Sequence, residues 1–347
     1  MITVKGERVA EEVRTVSVSR SEVLSLSEEI LQSVGTPTDY AISVAESLVQ
    51  AQEVGHASHG IIRLLEYTDS VKRKVIDPEV RPTIFRDEGA TAIIDSHWGW
   101  GQIACKYAVE VVSKKAKEFG IALVSIKDCN HIGRVGEYVE LLAAQNLISM
   151  MWCNADPAVA AYGGKNRLFG TNPLAVGIPS NDVPVIIDFA TAASAEGKLR
   201  VARANGSSIP TGTVIDREGR ETTNPNDFYE GGALLPFGGH KGYCLSLMIE
   251  LLGGTLSGNH PSMNAGYSHG FGTVLLAIDP EKFFGGAVFK DEISEATKKI
   301  RATTPTKIDQ PVLVPGDIEN YQRKLNTPSL QISETIWNSV TELRSHR

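Results

Sequence analysis

The sequence predicts an α/β protein, and three observations predict it. Residues 21–74 carry apolar side chains at helical spacing, and from Pro82 onward the texture changes to short strand-like runs bounded by glycine and proline. One such run, residues 121–126, turns through two glycines into an apolar helical segment. With 347 residues, 42% hydrophobic and 22% charged, the chain is long enough for two domains or one domain with a large insertion.

Taken in order, residues 1–14 show no regular pattern, and Val16 and Val18 alternate with serines as in a short strand. A helix is expected over residues 21–34, closed by Gly35. Thr36-Pro37-Thr38 opens a second, with Ala41, Val44, Ala45, Leu48 and Val49 on one face. Gly55-His56-Ala57-Ser58-His59-Gly60 interrupts it before a third helix over 61–74. Strands follow at 90–95, 121–126 and 147–153, with helices at 105–119 and 138–146 between them. Residues 174–178 and 185–187 read as short strands, and Arg217-Glu218-Gly219-Arg220 as the turn of a hairpin. The segment 244–252 is apolar on nearly every side, which predicts a buried helix. A strand at 270–278 and helices at 292–303, 319–325 and 328–345 complete the chain, with no internal repeat.

Composition excludes several classes of function. The formal charge is -7 and the longest basic run is Lys72-Arg73-Lys74, which argues against a nucleic-acid partner. No segment approaches the roughly 18 apolar residues of a spanning helix, so no membrane partner is expected. Residues 1–20 lack the apolar core of a signal peptide. Cys105, Cys129, Cys153 and Cys244 show no metal-ligand spacing and read as free thiols. A soluble cytoplasmic protein without a metal is the expectation.

Four stretches carry candidate chemistry. In Asn130-His131-Ile132-Gly133-Arg134-Val135-Gly136, a strand ends at an imidazole beside a glycine turn, where backbone N–H groups and a near-neutral titrating group meet. His59, Arg63 and Tyr67 recur at intervals of four and would share one helix face if the third helix starts a turn early; a solvated polar face fits the same spacing. Gly99-Trp100-Gly101-Gln102-Ile103-Ala104 is a literal G-x-G-x-x-A between strand and helix. Trp100 is bulky for a pyrophosphate turn, and Asp128 lies 27 residues past Gly101 where the fingerprint expects about 20, so a packing turn is the preferred reading. Lys241, at the mouth of an apolar helix after Gly238 and Gly239, suits a phosphate, ribose or carboxylate partner, or a snorkelling lysine.

Together these stretches resemble the type 2 malate/L-lactate dehydrogenase family, from about residue 20 to 340. The resemblance is carried in order by the segment from Gly55 to Arg63, Asn130-His131-Ile132-Gly133, Gly163-Gly164, Gly170-Thr171-Asn172-Pro173, Asp188, His240-Lys241-Gly242-Tyr243 and Pro315-Gly316-Asp317. Ile132-Gly133-Arg134 and His240-Lys241-Gly242 look most like its hydroxycarboxylate dehydrogenase branch. The resemblance implies a non-Rossmann fold: a central mixed β-sheet domain holding the cofactor (residues 86–291) and a helical substrate and dimerisation domain formed from both chain ends (1–85 and 292–347). It implies a homodimer, NAD or NADP, and hydride transfer between nicotinamide and a small 2-hydroxycarboxylate such as malate or lactate.

By the same resemblance His131 or His59 carries the proton, with His131 preferred and His59 as polariser or alternative acid. Arg63 binds the substrate carboxylate and Tyr67 flanks it. Gly133, Arg134 and Val135, the segment Ile186, Ile187, Asp188, Phe189 and Ala190, then His240 and Lys241, and the turn Gly316, Asp317, Ile318 and Glu319 match cofactor-contacting stretches. Many members carry Glu where this chain has the shorter Asp317. Two rivals share the pattern: a reductase of a cyclic imine carboxylate from the same family, and a non-catalytic nucleotide-binding protein.

Overall fold

A computed structural model describes residues 14–327 and 329–345. Its centre is a seven-stranded sheet, in spatial order Thr83–Glu88, Thr91–Asp95, Ile121–Lys127, Thr273–Ile278, Ile148–Cys153, Pro173–Ile178 and Val185–Ala190. Only Thr91–Asp95 and Ile121–Lys127 pair in parallel; the other neighbours run antiparallel. A doubly wound dinucleotide fold is mostly parallel, so this sheet is of the mixed, non-Rossmann kind.

The strands are apolar on both faces because helices cover both. The helix Gly101–Phe119 presents Ala104, Ala108, Val112 and Ala116 at intervals of four, and these small side chains pack on Val124, Ile126, Leu275 and Ala277. The helix Val135–Ala143 adds Tyr138, Val139 and Leu142 to the same core. On the other face Ile249, from the helix His240–Leu256, meets Trp152, Leu174 and Val274. A second core joins the two ends of the chain. Leu31, Val44, Leu48, Leu64 and Tyr67 from the helices Arg20–Ser33, Thr38–Glu53 and Arg63–Lys72 pack with Leu330, Ile332 and Val340, and strand Thr15–Val18 pairs antiparallel with Leu330–Ser333.

The two sheet edges are managed differently. Thr83–Glu88 is exposed along its whole length, carries Arg86, Asp87 and Glu88, and slips register between Ile84 and Arg86, features that discourage edge-to-edge pairing. Val185–Ala190 is capped by the chain itself: Ile186 N–H donates to Pro315 O at 3.1 Å, which brings the helix Asp317–Asn326 against the sheet.

Several expectations need correction. The helix His240–Leu256 is not buried all round, since Leu251, Leu252 and Leu256 stand more than 40% exposed. Residues 328–345 are not one helix but strand Leu330–Ser333 followed by helix Glu334–Ser345. The third helix begins only at Arg63, preceded by a single 3₁₀ turn, Ala57–His59. The expectation for residues 1–13 lies outside the described residues.

Candidate functional site

The strand Ile121–Lys127 runs out into Asp128, whose left-handed backbone (φ 50°) turns the chain away from the sheet. Asn130 then clamps the loop: its buried Nδ2 donates to the carbonyls of Trp98 at 2.7 Å, Gly99 at 3.1 Å and Val75 at 3.2 Å. From below, a Cβ at Gly101 would come within 2.5 Å of the carbonyl oxygens of Asn130 and His131, so glycine lets the helix Gly101–Phe119 start directly under the loop. Gly99 and Gly101 are therefore packing residues, and Trp100, at 2% exposed, belongs to the core.

His131 is held on several sides. Tyr67 Oη lies 2.7 Å from its Nδ1, and the Gly133 N–H donates to the same nitrogen at 3.3 Å. Behind Tyr67, Gln102 Nε2 donates to Tyr67 Oη at 2.7 Å. The Phe271 ring stands edge-on to His131 at 5.4 Å, and His59 stacks on it at 5.6 Å with planes 17° apart. Burial, then the neighbouring Arg63 cation and His59, hold the His131 imidazole well below its ordinary value. Burial, then Arg63, His56 and Arg134, push His59 down to about 3. Both rings are neutral at pH 7.

Arg63 and Tyr67 sit four residues apart on helix Arg63–Lys72, while His59 reaches them from the separate 3₁₀ turn rather than from a continuous helical stripe. Arg63 Nε donates to Ser58 O at 2.8 Å and Nη1 to Glu66 at 2.6 Å. The guanidinium lies near enough to His59 and His131 to hold both rings down.

A second cluster adjoins His59. Arg134, 3% exposed, donates from Nη2 to Glu140 at 2.9 Å and lies 4.0 Å from Asp188. Its Nε and Nη1 are buried with no hydrogen-bond partner among the described residues. Asp188 Oδ2 accepts the Gly136 N–H at 2.9 Å, capping the helix Val135–Ala143 from across the sheet. Burial raises the Asp188 carboxyl against the opposing pull of Arg134. A side chain at Gly136 would overlap both Arg134 and Asp188. Arg323 closes the cluster on Glu140 at 2.8 Å, and Glu319 faces His56 Nε2 at 3.4 Å.

The remaining expected residues are arranged around this cluster. Val135 is buried where its helix begins, and in strand Val185–Ala190 Ile186 is buried while Ile187, Asp188, Phe189 and Ala190 are half-buried. Gly316 takes φ 98° against Ile186. Asp317 is held by Nε and Nη2 of Arg301 (2.9 and 2.7 Å) and by the Val314 N–H at 2.8 Å, so its carboxylate anchors the turn; Ile318 is exposed. His240 and Lys241 stand exposed at the head of their helix, tied to the strand end through Phe237, which meets Phe189 edge-on at 5.6 Å and donates its N–H to Thr191 O at 2.9 Å.

Gln102, Glu140 and Arg323 were not anticipated from sequence. For Gln102 a signal existed: it is a lone amide in the apolar run Ile103-Ala104-Cys105 and it is 0% exposed. Glu140 and Arg323 lie 183 residues apart and carry no such signal.

The depressed histidines predict acid sensitivity. The unfolded chain binds protons on these rings below about pH 6.5, whereas folded His59 resists to about 3, so stability is free of this penalty above 6.5 and falls as pH drops through the window between. A His59→Asn variant should lose less thermal stability between pH 7.5 and 5 than the parent. An equal loss in both proteins would assign the effect to other groups.

Comparison with known proteins gives a family model, malate/L-lactate dehydrogenase, matching residues 18–341. The chain is similar to L-sulfolactate dehydrogenase of Methanothermobacter thermautotrophicus, 36% identical over 88% of this chain and 90% of that protein. It is 32% identical to the Δ1-pyrroline-2-carboxylate/Δ1-piperideine-2-carboxylate reductase of Pseudomonas syringae pv. tomato, over 96% of this chain and 97% of that one. Its fold is similar to that of sulfolactate dehydrogenase from Methanocaldococcus jannaschii, with a TM-score of 0.87, 33% identity, and coverage of 95% of this chain and 97% of that one.

Proposed function

The chain belongs to the malate/L-lactate dehydrogenase family, and we propose that it interconverts a small 2-hydroxycarboxylate and its 2-oxoacid with His131 as proton carrier, Arg63 as carboxylate anchor and NAD as cofactor. It is an oxidoreductase of the 2-hydroxyacid type, and the family implies a nicotinamide cofactor. The observation that carries the assignment of roles is the convergence of His131, His59 and Arg63 on one face, with Tyr67 behind His131. A proton carrier beside a fixed cation is what removal of a hydroxyl proton from an oriented carboxylic acid needs.

The residues fit a dinucleotide, because Arg134 keeps two buried guanidinium nitrogens, Nε and Nη1, without a partner among the described residues, beside Gly136 where a Cβ would meet Arg134 and Asp188. Arg134, Gly133, Val135 and the segment 186–190 would line the cofactor on one side, with His240, Lys241 and the turn at Gly316 and Glu319 on the other. Asp317 would act by fixing that turn through Arg301. Asp188, Glu140 and Glu319 place three carboxylates against the guanidiniums of Arg134 and Arg323, which favours a ribose hydroxyl over the extra charge of a 2′-phosphate and hence NAD over NADP. A bound nicotinamide supplies the hydride acceptor in oxidation and the donor in reduction. Arg63 holds the substrate carboxylate, His131 Nε2 takes the hydroxyl proton, and His59 polarises the same oxygen.

We read residues 86–291 as the cofactor unit and the chain ends as the helical unit. The exposed Leu251, Leu252 and Leu256 on helix His240–Leu256 suit burial in a homodimer. The buried free thiols Cys105, Cys129 and Cys153 suit a reducing cytoplasm.

Absorbance at the reduced-nicotinamide band, with NADH or NADPH and a panel of oxaloacetate, pyruvate, 2-oxoglutarate, phenylpyruvate and a cyclic imine carboxylate, tests the reading. Oxidation of NADH with a 2-oxoacid by a protein that sediments as a dimer is the expected result. Turnover of the cyclic imine alone would replace the substrate class, and silence in a protein that binds cofactor would overturn the activity.

A further inference from the structure

Three groups form one buried hydrogen-bonded chain behind the proton carrier: Gln102, Tyr67 and His131. The direction of every bond in it follows from one backbone group. A peptide N–H can only donate, so the contact of Gly133 N–H with His131 Nδ1 at 3.3 Å makes Nδ1 an acceptor. The hydrogen in the 2.7 Å Tyr67–His131 contact must then belong to the phenol. Tyr67 Oη is left to accept, which is what Gln102 Nε2 requires at 2.7 Å. The neutral imidazole therefore carries its hydrogen on Nε2, the nitrogen directed away from the chain.

This arrangement suits a resting ring and not a working one. To take a hydroxyl proton, Nε2 must be bare and Nδ1 must carry the hydrogen; once the proton has arrived, both nitrogens are donors. In either working state Nδ1–H needs an acceptor. Tyr67 Oη can serve only if its own hydrogen turns elsewhere. The pocket supplies that acceptor: Gln102 Oε1 is buried with no hydrogen-bond partner among the described residues, on a side chain that is 0% exposed.

We propose that Gln102 is a positioning residue that sets the protonation state of His131 through Tyr67, its amide donating to Tyr67 Oη in the resting state and, turned by half a rotation, accepting the Tyr67 hydroxyl hydrogen in the working state. In the turned state Tyr67 Oη accepts from His131 Nδ1–H, and the Gly133 N–H gives up its 3.3 Å contact with that nitrogen. The change of tautomer passes through the imidazolium, Nδ1 gaining a proton from solvent and Nε2 losing one to solvent. In oxidation the substrate hydroxyl proton then moves to bare Nε2 and leaves to solvent, and in reduction Nε2 gives the substrate oxygen a proton drawn from solvent. An amide at position 102 serves both states because it presents a donor and an acceptor on one rotatable group. The titratable and charged groups facing His131 are His59 from the 3₁₀ turn and Arg63 and Tyr67 from helix Arg63–Lys72; the helix Gly101–Phe119 contributes uncharged Gln102 and the segment after Asn259 contributes Phe271. The proposal rests on the assignment of His131 as proton carrier, and two independent measurements separate the failure of one from the failure of the other.

The first needs no turnover and reads the tautomer on the unaltered chain. Long-range ¹H–¹⁵N correlation on histidine-labelled wild-type protein, with the His131 signal assigned from a His131→Gln sample, should show a pyridine-like Nδ1 and a protonated Nε2 at neutral pH. A protonated Nδ1 in the free protein overturns the proposal whatever the enzyme turns over. The second compares Gln102→Glu with Gln102→Met. An ionised carboxylate only accepts, so Gln102→Glu should move the acidic limb of the kcat/KM profile for hydroxyacid oxidation to higher pH by about one unit. Gln102→Met removes the acceptor and should move the limb to lower pH. Opposite shifts support the proposal, while equal losses without a shift in either variant would reduce Gln102 to packing.

Discussion

His131→Ala should lower kcat for hydroxyacid oxidation by about 10²- to 10⁴-fold, the range removed with a positioned general base, while leaving cofactor affinity unchanged. The size of the effect follows from how firmly the ring is placed. Two donors hold its Nδ1, Phe271 meets its edge, and Asn130 pins the loop that carries it. His59 is less constrained: its Nδ1 meets Ser58 Oγ at 3.1 Å, and its neighbours in the turn, Ala57 and Ser58, are exposed. A proton carrier gains from fixed orientation, so His59→Ala should cost less than His131→Ala. The reverse ranking, with near-normal turnover in His131→Ala, would move the proton to His59. Because His59 stacks on His131 and helps hold its value down, His59→Ala should also displace the pH profile to higher pH.

How much of this was visible in the sequence depends on the distance over which each contact acts. The interval of four between Arg63 and Tyr67 is a helical fact and could be read directly. The bond between Tyr67 and His131 joins residues 64 apart and exists only because the sheet and the helices of the chain ends pack together. The turn at Gly99 reads as a dinucleotide fingerprint, yet its glycines serve close packing against the carbonyls of Ser96, Asn130 and His131; the bulk of Trp100 already pointed that way. Helix 240–256 misled for a different reason: an apolar surround predicts burial, but within one chain only part of that surround is covered. Strand Leu330–Ser333 carries no local signal of its own, because its partner, Thr15–Val18, lies at the other end of the chain. The ion cluster around Arg134 was legible only as a single arginine after a glycine, since Glu140, Asp188 and Arg323 come from three different elements.

Arg63→Ala should raise KM for the 2-oxoacid and lower kcat/KM by about 10- to 100-fold, the cost of removing a charge-assisted hydrogen bond of roughly 1.5–3 kcal/mol. The fork is already aimed, because Nε is fixed on Ser58 O. Glu66 competes for Nη1, but its side chain is 55% exposed, and such a surface pair is worth about 1 kcal/mol or less, so a carboxylate held in two-pronged fashion displaces it. Arg63→Lys should recover little of the loss, since an ammonium cannot reproduce the fork. A second signature separates binding from general damage. The Arg63 cation holds both His59 and His131 below their ordinary values, so its removal lets the rings take up protons more readily. Neutral imidazole is the base in oxidation, so the acidic limb of kcat/KM should move to higher pH as KM rises. An unchanged KM would free Arg63 from the substrate. A raised KM with the limb unmoved would keep the carboxylate contact and remove the electrostatic coupling to the proton carrier.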